Sequence, residues 1–431
     1  MTETRIDDAV GLDDFQLLDP GVQQCPHLYY ASMRENTPVF ATEVGGTPIL
    51  LVTRYQDVLD IIRDTETFSS NTGSGTSMPV QPELAERIRK LYRTEGGYER
   101  VGTMLTIDPP EQTRYRKLVS RSFTVRAVSD LEPAIREVAG GLIARWVNDG
   151  NVEFVRAFAV PLPVATIARA LNVPDDRLAD FKRWSDDHIA AIGTNISDEE
   201  RLAAERGIIE FQHYFAEQLE QRRATPEDDI LTNLVNSRID KDEDPDLPDQ
   251  PLGMPEMLSI IAQLVVAGNE TTTKTLTEMM RLLGENSDQW SMLREDPERV
   301  DRVVEETIRM TTPTQGMWRY ATRDANIAGT EIPAGSRMVV MFASANRDES
   351  AFPDGDTFDP DRPDLFTHLA FGKGAHYCLG ASLARLELRI ALEELAARID
   401  SFRLADTNSF DYHPSFLLRG LKRLDLEIEP A

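Results

Sequence analysis

Between about residues 126 and 310, apolar positions recur with the period of helices. In the stretch 200–222, Ile208, Ile209, Phe211, Phe215 and Leu219 fall on one side and charges on the other. The stretch 255–284 differs, because Leu258, Ile260, Ile261, Leu264, Val265 and Val266, then Leu276, Met279, Met280 and Leu282, make it apolar on most sides. Helices of that kind are buried. Nearer the N-terminus the runs shorten. Val39–Thr42 and Pro48–Val52 read as strands, followed by a helix from Tyr55. Strands and turns return from 318 to 345, with Glu331-Ile332-Pro333-Ala334-Gly335 as a turn. Ser69–Thr76 and the acidic run Asp240–Asp249 read as loops. No repeat is visible. The expected fold is mainly α: one large helical domain over residues 1–431, with small β-sheets near its N-terminal and C-terminal parts and residues 1–27 as an N-terminal extension.

Composition narrows the class. The charge balance, 46 Lys and Arg against 73 Asp and Glu, gives −27, which argues against broad nucleic-acid binding. Two cysteines in 431 residues exclude a disulfide framework and suit a reducing cytoplasm. The acidic start, Met1 to Asp8, leads into no apolar run, so no signal peptide is expected. The strongly apolar segment near 258–268 is too short to cross a membrane. One local feature opposes the global charge: Arg114, Arg116, Lys117 and Arg121 share a predicted helix, and Lys373 lies in a glycine-rich loop farther on. That group reads either as a docking patch for an acidic partner or as an ordinary solvated helix face.

Two stretches break the local rules. The centre of the apolar helix is Ala267-Gly268-Asn269-Glu270-Thr271-Thr272-Thr273, poor helix material in a core position. Weak helix in such a place suggests that something else needs the room. The second stretch is Phe371-Gly372-Lys373-Gly374-Ala375-His376-Tyr377-Cys378-Leu379-Gly380, a lone thiol between glycines with a helix-like segment directly after it. Glycines let a backbone approach a flat, bulky ligand. A cysteine before a helix start meets unpaired N–H groups that favour the thiolate, and a thiolate is an axial ligand of haem iron. A buried structural thiol is the alternative. Structural zinc fails for want of ligands, since the other cysteine is the distant Cys25.

The Cys378 stretch resembles the haem-binding loop of the cytochrome P-450 superfamily, Phe-Gly-x-Gly-x-His-x-Cys-x-Gly, at every defined position. The Thr-rich segment resembles the same family's Ala-Gly-x-Glu/Asp-Thr-Thr signature, in which the helix passes over the haem and bulges beside dioxygen. The resemblance runs from about residue 28 to 425 and implies the following. Cys378 ligates the iron of haem b, with Phe371, Gly372, Ala267 and Gly268 against the cofactor. Glu270 and Thr271 form an acid–alcohol pair that passes protons toward dioxygen. Arg116, Arg319 and His376 hold the propionates, together with Gln112, where the family more often has His. Glu306-Thr307-Ile308-Arg309 and Phe358-Asp359-Pro360-Asp361-Arg362 resemble two further family motifs, making Glu306, Arg309 and Arg362 a buried charge network under the thiolate loop.

The implied activity is a monooxygenase of the bacterial, cytoplasmic kind, fed with electrons from NAD(P)H through a reductase and a ferredoxin. The expected pocket comprises the 70–105 loop, Val265, Ala267, Gly268, Gln315 to Trp318 including Met317, and Phe416 to Leu418 with Leu417 between them. Apart from Gln315 that set is apolar, which points to a hydrophobic small molecule: a steroid, a terpenoid or a fatty acid. Two other readings remain open. One is a haem-thiolate enzyme driven by peroxide or rearranging its substrate, against which the Glu270–Thr271 pair argues. The other is a haem sensor or carrier, which would consume no NADH in response to substrate.

Overall fold

The computed structural model describes residues 11–13, 15–71, 80–120, 123–238 and 250–431. Thr72–Thr76 of the first predicted loop, Arg121 and the run Asp240–Asp249 lie outside these residues. The principal helices are α1 (Tyr55–Arg63), α2 (Pro82–Glu95), α3 (Glu111–Ser120), α4 (Pro161–Ala170), α5 (Leu178–Ile189), α6 (Asp198–Ala224), α7 (Met254–Glu285), α8 (Val300–Thr311) and α9 (Ala381–Ala396). Around α7 pack α4, α5, α8 and α9. Among the described residues, no helix is long and apolar enough to cross a membrane.

Local chemistry sets the ends of these helices. Ser197 and Glu200 form a reciprocal capping box at the start of α6. Its buried stripe contains all five apolar residues that the periodicity singled out. At the start of α7, Glu256 accepts the Gly253 N–H at 2.6 Å, and Pro255 occupies the first turn. The helix α2 falls inside the stretch expected to be loop. Its signals are Pro82 at the start, Leu84 and Leu91 on one face, and Gly96 in left-handed conformation at the end.

The strands of the two larger sheets are β1 (Val39–Val44), β2 (Thr47–Val52), β3 (Phe68–Ser69), β4 (Asn151–Glu153), β5 (Met317–Ala321), β6 (Arg337–Val340), β7 (Ile399–Leu404) and β8 (Asp425–Pro430); Ala325–Ile327 and Thr330–Ile332 pair separately. One sheet has the order β1-β2-β6-β5-β3 and another β4-β8-β7, so chain segments far apart in sequence share each sheet. The β1–β2 turn needs Gly45 and Gly46, whose φ values are +58° and +75°. Among the described residues, only β2 and β6 pair in parallel, with Leu50 opposite Met338. Within the expected N-terminal extension, Phe15, Leu17 and Val22 are buried against Ile49, Met341, Phe416 and Leu417.

Candidate active site

The loop before α9 turns twice through left-handed backbone, at Gly372 (φ +65°) and Gly374 (φ +70°), conformations a side chain resists. The turn is closed by Cys378 N–H to Phe371 O at 2.8 Å and Tyr377 N–H to Gly374 O at 3.1 Å. It delivers Cys378 just ahead of α9, where the Gly380 N–H bonds to the sulfur. Burial pushes the thiol above its ordinary range, while that N–H, Arg116 and Arg385 pull the other way. The helix start therefore favours thiolate as expected, but burial outweighs it in the protein alone. A metal cation on the sulfur reverses that balance, since a coordinating thiol is deprotonated.

Cationic and neutral donors gather around this loop. Arg319 is 5% exposed; one of its terminal nitrogens donates to Trp318 O at 2.7 Å and its Nε has no partner. Burial lowers its pKa to about 10, against the pull of Asp108. His376 Nε2 is likewise buried without a partner. Burial, with Arg319 and Arg116 close by, brings the imidazole to about 4 and keeps it neutral. Arg116 is half-buried, is drawn electrostatically to Cys378 and Tyr377, and makes no hydrogen bond among the described residues. Unspent donors beside a half-buried thiol and a glycine loop fit a flat, iron-bearing group with two carboxylates. Haem is such a group, and Arg116, Arg319 and His376 lie around the loop with donor capacity of the kind its carboxylates require. Gln112 serves differently from the expectation: its amide donates to Ala375 O at 2.7 Å, so it braces the loop.

The helix α7 runs unbroken through the Thr-rich centre, where a bulge was expected. The threonines bond back one turn, Thr271 to Ala267 O at 2.7 Å and Thr275 to Thr271 O at 2.8 Å. Surrounding helices hold the segment helical despite its composition. One face nevertheless stays accessible: Ala262, Gln263, Val266 and Thr271 are partly exposed and Ala267 is exposed, in the middle of a buried helix. Val265, one position off that face, is 0% exposed and packs in the core, which removes it from the pocket. Gly268 also looks elsewhere; a Cβ there would lie 3.3 Å from Ile167 on α4, so the glycine lets two helices meet.

Glu270 is buried between two ammonium groups, Lys274 Nζ at 2.6 Å and Lys182 Nζ at 3.4 Å. Burial alone would raise its pKa, but the two lysines bring it down to about 2. It stands as a carboxylate at neutral pH. The sequence reading made it the acid of an acid–alcohol pair; in the fold its two lysine partners favour the carboxylate.

The other pocket expectations also change. Gln315 is 1% exposed and spends its amide N–H on Thr312 O at 2.6 Å and Thr311 O at 3.4 Å. Phe416 and Leu417 are buried with Leu17, Val22 and Tyr30. Met317 remains half-buried at the start of β5. In the basic group, Arg114 is buried and paired with Glu256 at 3.2 Å, so it belongs to no docking patch.

Beneath the loop the charge network assembles. Glu306 and Arg309 are 0% exposed and Arg362 5%. Arg309 meets both Glu306 oxygens at 2.7 Å, and Arg362 Nε reaches one at 3.1 Å. A neighbouring network was missed: Glu305 accepts from Arg385 at 2.5 and 2.8 Å and contacts His368 at 2.8 Å, and Arg385 lies 4.5 Å over the Phe371 ring. The adjacent glutamates in α8 and the Arg in α9 were its only traces in the sequence.

Glu387 on α9 was also missed. It is 2% exposed, bonds Thr166 and Thr272, and leaves one oxygen without a partner. Burial pushes its pKa up to about 8. Because the folded value is raised, the folded state keeps a proton that the unfolded chain releases above about pH 4.5. Stability is therefore lost as pH rises from about 5 to 8, by an amount on the order of a few kcal/mol. Glu387→Gln is expected to flatten that slope and to be more stable than the parent at pH 8. Urea unfolding midpoints at pH 5.5 and pH 8 check this; parallel slopes in the two proteins would refute it.

Known proteins match this arrangement along the whole chain. The family description "Cytochrome P450" matches residues 199–409. Vitamin D(3) 25-hydroxylase of Pseudonocardia autotrophica is 34% identical over 98% of this chain and 98% of its own length. A steroid C26-monooxygenase of Mycobacterium tuberculosis is 34% identical over 93% of each chain. The solved structure of a cytochrome P450 from Chondromyces apiculatus superposes with a TM-score of 0.82 at 33% identity, covering 97% of this chain and 98% of that one. With the thiol, its glycine loop and the donors around it in place, this chain belongs to the cytochrome P450 family of monooxygenases, whose cofactor is haem b and whose electrons come from redox partners.

Proposed function

We infer that this enzyme inserts one oxygen atom from O2 into a C–H bond of a hydrophobic small molecule, using electrons from NAD(P)H passed through a ferredoxin reductase and a ferredoxin. The observation that carries the reading is the accessible face of α7. It holds Val266, Ala267 and Thr271 open within the core. The strand of chain that bonds Gln263 on this face also reaches His376 of the cysteine loop through the Met104 backbone. The two relatives named above are, by name, a vitamin D(3) hydroxylase and a steroid monooxygenase, and both fit an apolar, polycyclic or terpenoid-derived substrate.

Bound haem supplies dioxygen activation. The residues supply the rest. Cys378 would offer the sulfur ligand, Arg116 and Arg319 would neutralise the carboxylates, and the uncharged His376 imidazole would add a polar contact to them. Ala267 and Val266 keep water sparse beside the substrate. Thr271 holds a hydroxyl proton at Oγ1, and Glu270, one position away, relays protons through Lys274 and Lys182. Lys182 is itself paired with the exposed Asp186, which opens this chain of groups to solvent. Lys373, partly exposed in the cysteine loop, is the residue of the basic group left to meet an acidic ferredoxin.

The test is Thr271→Ala with ferredoxin and reductase supplied. A positioned proton donor is worth typically 10²–10⁴-fold. The variant is expected to bind haem and substrate and to consume NADH, with the electrons appearing as hydrogen peroxide instead of product. Thr272→Ala, turned toward Glu387, is expected to stay near the parent. Parent-like coupling in both would remove Thr271 from proton delivery, and substrate-independent NADH use in the parent would favour a sensor or carrier.

A further inference from the structure

The accessible face of α7 is apolar at Ala262, Val266 and Ala267, with one exception above Thr271. Gln263 lies one turn before Ala267 and two turns before Thr271, roughly 6 and 12 Å along the axis. It is only partly buried. Its side chain is clipped to the segment Val101–Leu105: the amide N–H meets the hydroxyl of Thr103, which is 0% exposed, and the amide oxygen accepts the Leu105 N–H at 3.3 Å. One turn earlier Ser259 donates to Val101 O at 2.7 Å, so two residues on the same face pin the same strap. These contacts fix the amide's orientation, oxygen toward Leu105 and nitrogen toward Thr103. An amide group has two N–H donors and two oxygen lone pairs. One of each is used by the strap, leaving one of each on a residue that still has accessible surface.

We propose that Gln263 is the polar specificity determinant of the substrate chamber, selecting an apolar substrate that carries one hydroxyl or carbonyl oxygen between one and two helical turns from the carbon that is oxidised. This rests on the monooxygenase reading above. The strap pre-orders the amide, so the substrate's oxygen meets a group already fixed in direction. A hydrocarbon of the same shape forfeits that bond and leaves the amide's remaining capacity buried beneath it.

The experiment uses the haem-loaded enzyme and its spin-state change on ligand addition. Two matched pairs serve as probes: a 3-hydroxysteroid against its 3-deoxy counterpart, and an acyclic terpene alcohol against its parent hydrocarbon. The parent protein is expected to bind the alcohol of at least one pair about tenfold more tightly than the hydrocarbon. Gln263→Leu is expected to bring that ratio to near one, by weakening alcohol binding and relieving the penalty on the hydrocarbon, while leaving the carbon monoxide spectrum unchanged. Thr103→Val cuts the strap's bond without altering the amide and is expected to keep most of the preference. Hydrogen exchange of residues 99–106 measures strap loosening separately in each variant. Equal alcohol preference in the parent and Gln263→Leu, loss of preference in Thr103→Val as large as in Gln263→Leu, or no alcohol binding at all would overturn the proposal. Failure of the broader function would show differently, as a parent protein without the thiolate spectrum.

Discussion

Cys378→His is expected to abolish the red-shifted Soret band that reduced, carbon monoxide-bound haem-thiolate proteins show, leaving a globin-like spectrum and no monooxygenase turnover. Cys378 is the sole cysteine of the donor cluster, because Cys25 is exposed at the start of the chain. Imidazole ligation keeps haem but not the electron density that a thiolate pushes toward O–O cleavage. The loop itself should tolerate the change, since its turns depend on Gly372, Gly374 and backbone bonds to Phe371 and Gly374. The far-ultraviolet circular dichroism and unfolding midpoint are therefore expected to stay near the parent's. A variant retaining the red-shifted band would dispose of the ligand assignment.

Glu306→Ala is expected to be the most destabilising single change in the molecule. It removes the one carboxylate between two guanidinium groups that are 0% and 5% exposed. Leaving a buried charge unpaired costs roughly 3–5 kcal/mol, a large part of the roughly 5–15 kcal/mol that holds a domain folded. Asp359 N–H, bonded to Glu306 at 2.9 Å, loses its acceptor as well. By contrast, Glu132→Ala in the half-exposed cluster with Arg136 and Arg389 should cost no more than about 1 kcal/mol. Replacing Glu306, Arg309 and Arg362 together by apolar residues is expected to recover only part of the loss. Arg309 also donates to the carbonyls of Asn346 and Gly355 at 2.6 and 2.7 Å, and those would remain unsatisfied. Urea unfolding midpoints and the haem retained on purification measure all three; equal midpoints for Glu306→Ala and Glu132→Ala would refute the ranking.

The two networks in α8 show where reading by motif stops. Glu306 and Arg309 are three residues apart and share a helix face, which a sequence displays. Glu305 meets Arg385 and His368, residues that no local spacing connects to it. The same limit applies on α7. Its burial, length and Thr-rich centre follow from composition and period alone. Which residues of its apolar run face the chamber does not, because a helix apolar on most sides gives no phase. Val265 was placed one residue, or about 100°, from the accessible face.

By itself, then, the chain determined the elements and the cysteine loop: a mainly helical fold, a buried central helix, and a glycine loop that presents Cys378 before α9. Those are local properties, written in periodicity and in backbone conformations that only glycine adopts readily. Tertiary structure alone decided the protonation and direction of the working side chains. Glu270 is a carboxylate because Lys182 arrives from α5 to join Lys274, Glu387 is an acid because α4, α7 and α9 close around it, and Gln315 is turned away by the carbonyls that end α8. Charge state and orientation depend on desolvation and on partners brought from distant segments. No order of residues along one chain states either of those until the helices have packed.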